Sequence, residues 1–133
     1  MTAVERRLAA ANLIVALVAL FGGVVTGLFQ ALEYAGVEVY PALAPVVRSH
    51  YHSLSIHGVL NALVWTTFFI CGFLPFVLSR SLGMPLAHAR LGWLTFWMMT
   101  AGLVLSAVPL VGNAATVMFT FYPPLKAHWA FYV

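Results

Sequence analysis

Apolar residues gather along the chain into three long windows separated by short polar links. No charged residue lies between Arg7 and Glu33, and the first window runs from Asn12 to about Leu32. The second runs from about Leu54 to Leu78, and the third from near Leu91 to about Gly112, both without a charge. Each has roughly the 20 residues that an α-helix needs to cross a hydrocarbon core about 30 Å thick. A fourth apolar run opens at Trp129 and stops at Val133, enough for the first turn of another helix. The pattern predicts an all-α membrane protein with three full transmembrane helices plus the start of a fourth, in a single partial domain over residues 1–133. Arg6 and Arg7 ahead of an apolar run also suggest a secretory signal. That run is longer than a signal core of about 7–15 residues and no small-x-small site closes it, so an uncleaved span is expected.

Composition sharpens this picture. The 133 residues are 63% apolar and 7% charged, against about 45–50% and roughly 25% in soluble domains. Nine charged side chains cannot cover a water-soluble globule, which excludes a soluble enzyme and a disordered tail. The net charge of +3 comes from basic residues scattered singly, so no nucleic-acid partner is expected. Cys71 stands alone and allows neither an internal disulfide nor a two-thiol metal site. Arg6, Arg7, Arg80 and Arg90 fall on one side of the spans, Arg48 and Lys126 on the other. Four against two places the N-terminus in the cytoplasm.

Within the windows one residue is ionisable. His57 sits about one turn below the outer end of the second window, with Ser53 and Asn61 at four-residue spacing and Val64 and Phe68 continuing the stripe inward. Gly58 beside it removes bulk where a flat group would approach. An intramembrane histidine is a functional hypothesis by default. Two readings stand: a hydrogen bond to a neighbouring helix, or a neutral imidazole ligating a metal such as haem iron. No Cys-x-x-Cys-His is present, so any haem is held non-covalently. His50 and His52 point to different helix faces and read as surface histidines at the interface, as does His128; His88 is given no role. Ala19, Gly23 and Gly27 form a small-residue stripe on the first span, read as a packing face without chemistry of its own. Gly112–Leu125 carries no charge yet is rich in aromatics. Such a loop is expected to pack against a partner, a cofactor or later polypeptide.

The runs YHSLSIHGVLNALVW at Tyr51–Trp65 and GNAATVMFTFYPPLKAHWAFY at Gly112–Tyr132, with FQALEY at Phe29–Tyr34, closely resemble subunit I of the heme–copper oxidases. The resemblance extends from the first span onward and keeps the order and spacing of three blocks. It is nearest to the B-type enzymes: the link Ser79–Arg90 lacks the aspartate that A-type enzymes carry at the mouth of a proton channel. The fold it implies is a twelve- or thirteen-helix bundle, of which this chain corresponds to roughly the first quarter.

By that resemblance His57 is one of two axial ligands to a low-spin haem. Gln30 falls near the place of an A-type arginine that bonds the haem A formyl group, and a glutamine there suits haem B. Tyr122 and Trp129 belong to a block near the haem pocket. Copper and the high-spin haem belong to later spans, and no catalytic residue falls in this portion. The implied partners are the remainder of subunit I, a copper-bearing subunit II, and cytochrome c or another external electron donor, in a prokaryotic cytoplasmic membrane. The implied activity is electron transfer toward an oxygen-reducing haem–copper site coupled to proton translocation, with the 133 residues alone inactive. Charge moved against the membrane potential stores about 2.3 kcal/mol per unit charge per 100 mV. The rivals are the large subunit of a nitric oxide reductase and, in another class, a small homo-oligomeric transporter or scaffold. A proton-coupled carrier needs a membrane-embedded acid, and Glu5, Glu33 and Glu38 all lie outside the windows.

Overall fold

The structure, a computed structural model, describes residues 2–115 and 127–132. Helix α1 runs Ala3–Tyr34 and opens in a capping box, with the Thr2 side chain accepting from the Glu5 N–H and the Glu5 side chain accepting from the Thr2 N–H. Its 32 residues extend about 48 Å, more than an apolar core requires, so its ends project beyond the charge-free window. A short helix, α2 (Tyr40–Leu43), lies in the following link. The second span is a continuous helical rod from His50 to Leu82. It comprises α3 (His50–Gly58), a π-helical segment at Val59–Trp65, and α4 (Thr66–Leu82). Gly83, at φ +65°, takes the left-handed conformation that terminates α4. Helix α5 covers Ala89–Val111. Beyond it, an isolated bridge pairs Ala115 with Ala127, the His128 N–H donates to the Ala114 carbonyl at 3.0 Å, and Trp129–Phe131 form one 3-10 turn.

Three expectations change in detail. The second helix begins at His50 instead of near Leu54, because Ser49 caps it by accepting from the His52 N–H. His57 therefore lies two turns inside the helix, about 10 Å from its start. Within the described residues, the run at Trp129 is a 3-10 turn and not an α-helical one.

The buried face of α1 is Glu5, Leu8, Asn12, Ala16, Ala19, Gly23, Thr26 and Gln30, a repeat of three and four residues that is one side of a helix. Leu8 apart, the face is small or polar, while Ile14, Leu17, Val18, Phe21 and Val24 point outward. Such an arrangement suits an apolar surrounding, in which close backbone approach and polar contacts hold helices together. A methyl group at Gly72 would stand 2.8 Å from Asn12 Cβ, and one at Gly92 would run into Leu8, so α1 lies tight against both α4 and α5. Phe68 and Phe96 meet edge to face at 6.1 Å.

At the N-terminal end Glu5 joins two elements. One carboxylate oxygen accepts from the Thr2 N–H and the other from the Leu86 N–H, both at 2.6 Å. The backbone donors of Thr2 and then Leu86 hold this carboxyl below the usual carboxylate range. The link after α4 is thereby tied to the start of α1.

Candidate functional site

Of the three histidines in the first two turns of the second span, His52 and His57 make hydrogen bonds that give them opposite chemistry. His52, expected at the surface, is 3% exposed. Its Nε2–H donates to the Leu110 carbonyl at 2.6 Å, and its Nδ1 accepts from the Arg48 N–H at 3.2 Å. Both ring nitrogens are used, so His52 is a cross-link between the second span and the end of α5. It reads as buried structure because the close of α5 reaches back over it, which local spacing does not reveal.

His57 is the reverse case. Its Nδ1 lies 2.7 Å from the Gly23 carbonyl oxygen on α1. A carbonyl only accepts, so the proton sits on Nδ1 and the lone pair on Nε2. Nε2 makes no hydrogen bond among the described residues and is not among the buried atoms left without partners. The imidazole is thus fixed by one nitrogen and presents the other as a neutral donor to the outside of these three spans. Fixing the far nitrogen with a carbonyl is how proteins orient a metal-ligating imidazole.

The α1 surface under the ring is built for it. A methyl group at Gly27 would stand 2.7 Å from His57 Cε1 and 2.9 Å from Nδ1, and one at Gly23 would overlap the Asn61 amide. The stripe of Gly23 and Gly27, expected only to pack, is the seat of the candidate ligand. The signal lay in two glycines at four-residue spacing facing a histidine on the next span. Just outside them, Ser53 Oγ donates to the Thr26 carbonyl at 3.0 Å and locks the two helices in register. The Thr26 hydroxyl donates to the carbonyl of Gly23 at 2.9 Å.

The π-helical segment starts immediately after Gly58. Wide turns of this kind occur frequently at functional sites. Thr66 donates its hydroxyl to the Ala62 carbonyl at the far end of the segment. Val64 within the segment and Phe68 beyond it, the apolar continuation of the stripe, are buried.

Gln30 is buried on the same α1 face as Gly23, and its Nε2 donates to the Thr26 carbonyl at 3.3 Å. Trp129 is 69% exposed, and its ring packs at 5.3 Å on His128. His128 accepts the Ala130 N–H on Nδ1. His50 lies 3.6 Å from Glu33 and touches the rings of Tyr34, Tyr40 and Tyr51 edge to face. Tyr122 and most of the expected packing loop fall in 116–126, outside the described residues. A cavity of about 250 Å³ lined by Leu8, Asn12, Cys71 and His88 does not include His57. Among the described residues no three His, Cys, Asp or Glu side chains converge on a metal position. One free imidazole fits a metal that brings its remaining ligands in a macrocycle, as haem iron does.

Comparison with known proteins identifies the family. The family model for cytochrome c and quinol oxidase polypeptide I matches residues 7–133. Cytochrome c oxidase subunit 1 of Thermus thermophilus is 47% identical over 124 residues, covering 91% of this chain and 22% of the relative. Ubiquinol oxidase subunit 1 of Acetobacter aceti is 34% identical over 129 residues, covering 92% of this chain and 19% of the relative. A cryo-EM structure of a heme–copper terminal oxidase dimer superposes with a TM-score of 0.87 at 32% identity, over 99% of this chain and 22% of that one. The chain spans about a fifth of the length of the curated relatives it matches.

Proposed function

The chain belongs to the cytochrome c and quinol oxidase polypeptide I family of integral membrane proteins, and we propose that it is the N-terminal part of a terminal oxidase subunit I that ligates a low-spin haem through His57. The observation that carries this is the 2.7 Å contact between His57 Nδ1 and the Gly23 carbonyl oxygen: the carbonyl accepts from Nδ1–H, so Nε2 is free to bind iron. Bound there, the haem supplies one-electron transfer.

The chain's own residues do the rest. Gly27 leaves the imidazole room, Gly23 sets its direction, and the Ser53–Thr26 bond fixes the height of the second span against α1. Gln30, on the same face, forms part of the pocket wall, and its neutral amide suits haem B. Trp129 belongs to the block that the family resemblance puts near the haem pocket on the outer side, and Tyr122 of the same block lies outside the described residues. The absence of Asp and Glu from Ser79–Arg90 supports the B-type reading.

The complete enzyme adds the remainder of subunit I, copper and a high-spin haem, and a copper-bearing subunit II. It passes electrons from cytochrome c to oxygen with coupled proton translocation. The relative with the higher identity is named a cytochrome c oxidase, which supports that donor over a quinol. The N-terminus and the Ser79–Arg90 link lie in the cytoplasm. His57 then stands near the outer face, so electrons arrive from one side and protons from the other.

In the assembled enzyme, His57→Ala should remove the low-spin reduced-minus-oxidised band while the membrane fold survives, and His88→Ala should leave the band unchanged. A normal low-spin spectrum in the His57 variant would sink the ligand assignment.

A further inference from the structure

Asn61 lies against the same imidazole nitrogen that Gly23 holds. Its amide nitrogen is 3.2 Å from His57 Nδ1, and its Oδ1 is buried with no hydrogen-bond partner. The Nδ1 proton is directed at Gly23, so Nδ1 has no lone pair for an amide N–H. An N–H facing an N–H and an oxygen with nothing to accept are both unfavourable in an apolar setting. A half-turn of the amide about its Cβ–Cγ bond removes the N–H to N–H contact and turns the oxygen toward Nδ1–H as a second acceptor, with the amide NH2 taking the place that Oδ1 held. The Gly23 carbonyl is already shared with the Thr26 hydroxyl at 2.9 Å, which weakens it as an acceptor and leaves room for another.

We infer that Asn61 is a positioning residue for the His57–iron bond, its amide oxygen sharing the Nδ1 proton with the Gly23 carbonyl and so lowering the potential of the low-spin haem. The inference rests on His57 being the ligand. Drawing the proton from Nδ1 makes the imidazole a stronger electron donor through Nε2. A stronger donor favours ferric over ferrous iron, and hydrogen bonding of this kind is one of the protein's levers on haem potential. No proton leaves the site and no bond is made or broken; the charge on the ligand is redistributed.

The experiment is a spectroscopic redox titration of the low-spin haem in the assembled oxidase, for the native enzyme, Asn61→Leu and Asn61→Ala. Leucine keeps the branching at Cγ and removes both polar atoms, so it fills the same seat on Gly23. At an ambient potential equal to the native midpoint, the ferrous-to-ferric ratio in Asn61→Leu should rise about three- to tenfold, tenfold being about 59 mV for a one-electron couple. The low-spin band itself should persist. A ratio within a factor of about 1.5 of the native value, or a fall, overturns the inference and leaves the ligand reading intact. If the leucine variant does not assemble, Asn61→Ala is read by the same criterion. Survival of the low-spin band in His57→Ala would instead remove the ligand reading on which the inference stands.

Discussion

His57 and His52 are five positions apart on one helical rod, yet one has a free nitrogen and the other has none. Ser53, His57 and Asn61 were legible as a stripe because four-residue spacing on a helix fixes a shared face. The difference between the two histidines was not, since their partners lie 34 residues away at Gly23 and 58 residues away at Leu110. Each half of the contrast has its own test. In Gly27→Ala the new methyl group, 2.7 Å from His57 Cε1, must displace the ring. Alanine favours helix by up to about 1 kcal/mol over glycine, so α1 should remain folded while the low-spin band falls several-fold in optical spectra. In His52→Ala the Arg48 N–H loses its partner and the Leu110 carbonyl keeps only backbone donors such as the Asn113 N–H at 3.1 Å, at a cost of about 1–3 kcal/mol. Thermal unfolding should show that loss with the haem spectrum unchanged. A spectral change as large as that of Gly27→Ala would show His52 to be more than a cross-link.

The elements form where charge-free windows exceed the bilayer core, and so the three spans could be read within about four residues at each end except the start of α1, which lies at Ala3 and not near Asn12. The π-helical segment could not. VLNALVW carries no proline or glycine, and a 3.6-residue period runs through it undisturbed, so its wide turns answer to packing and not to local propensity. The tie between α1 and the link after α4 was equally hidden, because Glu5 reads as an ordinary first-turn acid and its partner Leu86 is 81 residues on. This tie has a definite pH dependence. Glu5, in the projecting first turn, is held below the ordinary value of 4.5 by the Thr2 and Leu86 donors. A depressed carboxyl stabilises the folded arrangement above its unfolded pKa, and the stabilisation is lost as pH falls through the folded one. Hydrogen exchange at the Leu86 amide, corrected for intrinsic rate, should stay slow at neutral pH and accelerate below about pH 4.5. In Glu5→Gln the acid-induced step should vanish. Acceleration on raising the pH instead would contradict the sign.

Across the whole molecule, large apolar side chains face outward on every span, Phe21, Trp97 and Val108 among them, which is the surface of a helix set in lipid or among further helices. Orientation within that setting rests on the arginines. In a Cys71→Ala background, an impermeant thiol reagent added to intact cells should label Glu38→Cys and not Met84→Cys; the converse would invert the topology. The ligand count makes a sharper demand. In the proposed reading His57 offers one axial bond, and six-coordinate haem needs two. His52 has both nitrogens engaged, and His128 holds the Ala130 N–H on Nδ1. His50 sits among three tyrosines beside Glu33, and His88 precedes α5 at the opposite end of the bundle. Expressed alone in detergent, the 133 residues should therefore bind haem weakly and give a five-coordinate, high-spin spectrum without cyanide-sensitive oxygen uptake. Co-expression with the remainder of a subunit I should convert that spectrum to the low-spin form, and only with His57 intact. A stable low-spin spectrum from the 133 residues by themselves would mean that a second imidazole reaches the iron from within this chain or from another copy, and the one-ligand reading would be wrong.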